Sequence, residues 1–126
     1  STLLGAFFLG MSDHASGQSL DAEAVVSMFE GGLANVSQQT KAQVGDKTMM
    51  DALIPAVDAM KNSTDEDIHA ILKAGAEAAQ KGALATVDMK ANFGRARNYG
   101  ERSIGHADCG ASSWACMFAA FAEAVS

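Results

Sequence analysis

The chain has a single proline, Pro55, and only two cysteines, Cys109 and Cys116, in 126 residues. Scarce proline and few β-branched residues leave little to interrupt helices, so a nearly all-helical chain is expected. On one helix, cysteines seven positions apart would share a face two turns apart, roughly 10 Å, too far for a disulfide. Neither has metal-ligand spacing, and His14, His69 and His106 are scattered, so no metal site is expected from these residues. Free thiols suggest a reducing, cytoplasmic setting. Cys116 is expected in the core. Cys109 is either an inert small residue or a thiol whose pKa is lowered at a helix opening.

Basic residues are also scarce: nine against fifteen acidic ones, for a net charge of −6. That balance excludes a nucleic-acid surface, which needs a concentrated basic face. No apolar run is long enough to span a membrane, and no leader peptide is visible. Internal repeats and low-complexity linkers are absent, and the length suits one domain. The opening run from Ser1 to Gly10 is apolar, lacks an initiator Met and reads as a helix cut part-way, so an N-terminally truncated chain is expected.

Against that background one segment stands out. Gly94 to Ala111 concentrates Arg95, Arg97 and Arg102 with four of the twelve glycines between two apolar, Ala-rich stretches. Gly lets a backbone approach a ligand closely, and Arg offers a fixed fork of donors suited to phosphate. The run closes on Asp108-Cys109-Gly110, where a starting helix would aim N–H groups at an anion. A long polar loop capped by Asp108 is the other reading, and the residues alone leave both open.

Five helical segments are expected. The first runs from Thr2 to about Met11. Ser19 is the expected N-cap of the second, whose apolar face holds Ala22, Val25, Val26, Phe29, Leu33 and Val36. Gly31-Gly32 in its middle suggests a close helix contact. After a loop from Lys41 to Asp46, the third starts near Lys47 with Met50, Leu53, Ile54, Val57 and Met60, and Pro55 should kink it. Ser63 to Glu66 forms a capping-box pattern, with Asp65 and Asp67 also suited to a helix start. The fourth helix then runs to about Met89, with Ile68, Ile71, Leu72 and Ala79 buried and Gly75 admitting a neighbour. The last spans Ala111 to about Val125 and presents Trp114, Met117, Phe118, Phe121 and Ala122 to the core.

Such helices joined by short loops make an antiparallel up-and-down bundle. Loops two helices apart then return to the same end, so Gly45-Asp46-Lys47-Thr48 should meet the Arg/Gly loop. These four residues share Lys-Thr with a phosphate loop but lack its first Gly and its strand. Asp46 and Thr48 are equally suited to helix capping, and Lys47 is expected to be solvated or ion-paired. No Ser/His/acid or Cys/His triad is spaced for catalysis.

At these residues the chain resembles a known family. The runs from Gly45 to Ala56, from Gly94 to Ala96 and from Tyr99 to Ala111, including Gly-Glu-Arg-Ser-Ile-Gly-His, are similar to the nucleotide-binding L subunit (DhaL type) of bacterial dihydroxyacetone kinase. The resemblance implies an all-α barrel of eight antiparallel helices, of which about five are expected here, making residues 1–126 the C-terminal part of one domain. It implies ADP or ATP at one end, phosphates held through Mg2+, and transfer to dihydroxyacetone bound covalently by a separate K subunit. Further partners it implies are a phosphotransferase-system phosphoryl donor protein, and a homodimer is an open expectation. By position it implies nucleotide contacts from Thr40, Met49, Arg95, Asp108, Cys109 and Gly110: Arg95 at the phosphates, Met49 as a wall of the base pocket, and Thr40 as a loop contact. No catalytic residue and no metal ligand is expected in this chain.

Two departures are visible. The family's Asp-Pro-Gly reads Asp108-Cys109-Gly110 here, which adds an N–H and frees the turn. The family's aspartate-rich metal loop and a Gly-Gly-x-Ser segment precede the run that aligns with Leu4 to Phe8. This chain alone is therefore expected to be inactive as a kinase. The alternative function is a non-catalytic, nucleotide-dependent module that binds a regulatory partner.

Overall fold

A computed structural model describes residues 6–7, 21–63, 67–92 and 104–124. Four helices order these residues: α1 (Ala22–Ser37), α2 (Met50–Asn62), α3 (Ile68–Ala85), continued by a 3-10 turn at Thr86–Asp88, and α4 (Cys109–Ala124). Among the described residues there is no strand. The expected first helix lies outside them except for Ala6 and Phe7, which are helical. No helix among the described residues is long and apolar enough to cross a membrane.

Side-chain caps set where three helices begin. The Asp21 carboxylate accepts from Ala24 N at 2.8 Å, so α1 starts there rather than behind Ser19, which lies outside the described residues. Asp67 accepts from His69 N at 3.2 Å and caps α3. Ser63, the expected opener of a capping box, instead follows the C-terminus of α2. A cap immediately before the apolar run prevails because its oxygen reaches the N–H groups of the first turn. Helix α3 ends at Ala85, four residues short of the expected Met89. There the Thr86 hydroxyl turns back to donate to Ala83 O, and the chain tightens into the 3-10 turn.

Two contacts define the packing of α2 on α3. A Cβ on Gly75 would meet Met60 Cγ at 2.8 Å, and one on Gly82 would meet the Asp51 carbonyl oxygen at 1.8 Å. The pairing of 75 with 60 and 82 with 51 shows that the two helices run antiparallel. Pro55 explains the second contact. It lies within an unbroken α2, carries no N–H, and removes the helical bond that Asp51 O would otherwise accept. Gly82 brings α3 against that carbonyl, where any side chain would collide. Helix α4 antiparallels α3, because His69 Nδ1 meets Ala122 O at 2.9 Å while Asp108 meets Thr86 at the other end.

The core between α1 and α4 is aromatic. Phe7 meets Phe29 and Trp114 edge-on, with ring centroids 5.8 and 4.9 Å away. Phe29 continues to Phe118 at 5.4 Å and Phe121 at 5.9 Å. Edge-to-face pairs add about 1 kcal/mol each to the burial of the rings. Trp114, Phe118 and Ala122 are buried as expected, with Met117 and Phe121 packed against them. Val25, Phe29 and Val36 are buried on α1, together with Gly31 and Gly32. Cys116 corrects the expectation of a core position: it is exposed and free. Together with Ala83, Leu84, Ala107, Ser112 and Ala119 it lines a groove of about 320 Å³ between α3 and α4.

Candidate functional site

The start of α2, the end of α3 and the start of α4 meet at one rim, as the helix order predicts. The α1–α2 connection is wound into two tight turns. Gly45 takes φ 105° and Lys47 takes φ 61°, and only the first of these suits its residue type. Left-handed backbone at a non-glycine residue costs about 1 kcal/mol and persists where the surroundings hold it.

Asp51 holds it from below. This carboxylate is 1% exposed, and it accepts from Gly45 N at 2.7 Å and from Thr48 N at 2.9 Å. Each of its oxygens thus takes a backbone donor from either side of Lys47. Thr48 Oγ1 accepts from Met50 N at 3.1 Å and serves the helix start, as its capping reading expects. Asp46 turns the other way. Its carboxylate accepts from Gln43 N at 2.8 Å and from Asn92 Nδ2 at 3.0 Å, while Asn92 N donates to Asp46 O at 3.2 Å. The Gln43 amide first, and the Asn92 side chain second, hold the Asp46 carboxyl below its ordinary pKa.

Of the two expectations for Lys47, solvated or ion-paired, the solvated one fails: the residue is 3% exposed. Its ammonium donates to Met89 O at 3.2 Å and to His106 O, on segments 42 and 59 residues away. A third buried polar residue, Thr86, accepts from Asp108 N at 2.8 Å through its hydroxyl. Gly105, at φ 100°, donates from its backbone to Val87 O at 2.6 Å. Lys47, Asp51 and Thr86 are the buried polar or charged residues among those described, and all three sit at this rim. Every buried side-chain nitrogen or oxygen among the described residues is hydrogen-bonded.

The rim presents most of the expected nucleotide residues. Asp108 Oδ2 accepts from Ala111 N at 2.8 Å and caps α4, as its loop reading expects. Cys109 is exposed at the first position of α4, where the family's proline would forfeit no helical bond. The turn keeps its cap without that proline. Gly110 faces Met49: a Cβ there would lie 3.5 Å from Met49 Cβ and 3.2 Å from Asp108 Oδ2. Met49, Asp108, Cys109 and Gly110 are thus brought together. Thr40 lies at the far side of the same connection, with its hydroxyl accepting from Ala42 N at 3.2 Å. Arg95, Arg97 and Arg102 lie outside the described residues.

Among the described residues no group of three His, Cys, Asp or Glu is arranged for a metal ion. Asp51 gives both oxygens to backbone amides, and Asp108 gives one. Cavity size does not select the site either. A space of about 770 Å³ lies at the opposite end, between Asp21, Glu23, Glu30, Lys61 and Ser63, away from Met49, Asp108, Cys109 and Gly110.

The DAK2 domain family model matches residues 1–123. The ADP-binding subunit DhaL of a PEP-dependent dihydroxyacetone kinase from Escherichia coli is 39% identical over 114 residues, 88% of this chain and 54% of that protein. The corresponding subunit of kinase 1 from Listeria innocua is 39% identical over 123 residues, 96% of this chain and 57% of that one. An L-erythrulose 1-kinase from Mycolicibacterium smegmatis is 37% identical over 103 residues, 82% of this chain but 18% of that protein. The chain spans about half the length of the two subunits.

Proposed function

Because the chain belongs to the DAK2 domain family, we propose that it supplies the ADP/ATP-binding part of a dihydroxyacetone kinase. The reaction moves a phosphoryl group from the nucleotide to dihydroxyacetone held on a separate K subunit. The observation that carries this reading is the meeting of Met49 and Gly110 under the N-terminus of α4, beside Asp108. A flat apolar wall next to a close backbone approach suits an adenine ring. The Asp108 carboxylate, lying at the helix start, would repel phosphate and suits the hydroxyls of the ribose. The phosphates are assigned to Arg95, whose guanidinium matches their geometry. Binding and orientation are the tasks of these residues, and none is assigned bond-making.

Magnesium belongs to this reading as the ion that joins the phosphates and neutralises their charge. Its carboxylate ligands would come from outside the residues described here. The relatives are PEP-dependent kinases with an ADP-binding subunit, which favours a resident ADP rephosphorylated by a phosphotransferase-system protein over exchange of free ATP. Val44 and Ile104, 55% and 45% exposed on two rim connections, offer apolar contacts to the sugar-bearing subunit. The setting is cytoplasmic.

Calorimetric titration of the full-length protein with ADP tests the reading. Saturable binding, with AMP much weaker, is expected. Absence of ADP binding with magnesium present would overturn it.

A further inference from the structure

The three buried polar residues of the described chain are almost wholly withdrawn from solvent, yet all of them converge on one rim. Their partners are mostly backbone groups of the connections that carry the site. Lys47 reaches Met89 O and His106 O. Thr86 takes Asp108 N and returns its own proton to Ala83 O. Asp51 fixes Gly45 N and Thr48 N on both sides of Lys47. A solvated rim needs no such arrangement to fold: the helices already pack through Gly75, Gly82 and the aromatic cluster.

We infer that Lys47 is a positioning residue of the nucleotide site: its buried ammonium ties the segment before Asp108 to the end of α3 and so sets the height of Asp108 and Gly110 against Met49. The inference rests on the nucleotide reading above. Two features make Lys47 the center of the device. Its side chain bridges two carbonyls on segments that are distant in sequence, so it joins the two connections directly. It is also two residues from Met49, on a backbone that Asp51 holds on either side, so a shift at one wall of the site is carried to the other. Thr86 is the second tie, because the amide it accepts is that of Asp108 itself. Removing either tie leaves Met49, Asp108 and Gly110 in place as side chains but frees the distance between them. An adenine nucleotide spanning both walls then pays for ordering them, and its affinity falls.

The test uses the full-length protein with Lys47→Met, Thr86→Val and Thr86→Ser, titrated with ADP below the melting transition of each variant. Lys47→Met and Thr86→Val are expected to raise the ADP dissociation constant at least fivefold, while Thr86→Ser keeps the hydroxyl and stays within twofold of the unsubstituted protein. Amide exchange is expected to quicken at 104–108 in Lys47→Met without change in the middle of α3. A merely structural role would lower all melting temperatures together and leave ADP affinity unchanged in the folded fraction, which overturns the inference. Where Lys47→Met does not fold, the Thr86 pair decides alone, and equal affinities for Val and Ser overturn it. Absence of ADP binding by the unsubstituted protein overturns the nucleotide reading, and this inference with it. Normal binding by that protein and unchanged binding by the variants overturns this inference only.

Discussion

The middle of the bundle and the rim where α2 and α4 begin are built from opposite materials. Between α1 and α4 the buried groups are rings: Phe7, Phe29 and Phe118 fill space and need no hydrogen-bond partner, and Trp114 packs its indole among them. At the rim the buried groups are Lys47, Asp51 and Thr86, and each is tied to backbone atoms by directional bonds. Apolar burial is non-directional and supplies stability. Hydrogen bonds net little stability but are costly to leave unmade, so they fix geometry. The comparison teaches that the fold's stability and the site's shape are set by different residues, and that the two can be broken separately.

The largest effect is expected in the core. Phe118→Ala should cost about 3–5 kcal/mol, read as a lower denaturant midpoint, while ADP affinity of the folded fraction is unchanged. A second prediction tests the seam between the two regions. Gly82→Ala places a methyl where the Asp51 carbonyl sits, and α3 must move away from α2. The overpacking is expected to cost about 1–3 kcal/mol in stability and to weaken ADP binding as well, because Asp51 carries the rim. Arg95→Ala should raise the ADP dissociation constant about tenfold, close to 1.4 kcal/mol, with the melting temperature unchanged. An unaltered constant by calorimetry would remove Arg95 from the phosphate role.

The smallest effect concerns Asp46. Its pKa is lowered in the folded protein, chiefly by the Gln43 amide and then by Asn92. The ionised form is therefore favoured by folding. The stability it contributes is present above its unfolded pKa and is lost as pH falls through the folded value. Asn92→Ala removes the secondary donor and should raise the Asp46 pKa only part of the way toward ordinary. Carbon-detected NMR titration of the carboxyl reads this directly.

Much of this arrangement can be read from the residues. The apolar faces of α1 and α4, the close approach at Gly75, the cap at Asp108 and the meeting of the two connections at one rim all follow from local pattern and helix count. What local pattern does not carry is the burial of Lys47 and the role of Asp51. A lysine between Asp and Thr in a polar turn reads as solvated or ion-paired. Its burial depends on carbonyls supplied by segments far along the chain. Asp51 reads as an acid in the first turn of a helix, whereas its partners are amides of the turn before that helix. The signal that could have found it is Pro55 four residues on, which marks a helix start with an altered backbone. Cys116 misled for the reverse reason: its helix is apolar nearly all round, so periodicity does not say which side faces out.

On the function proposed above, the nucleotide sits where α2 and α4 begin. Amide hydrogen exchange of the full-length protein with and without ADP tests that placement. Added ADP should slow exchange at 43–51 and 104–111 and leave 21–30 and 58–63, at the opposite end, unchanged. Protection centred on the opposite end, around the space between Asp21 and Lys61, would contradict the claim.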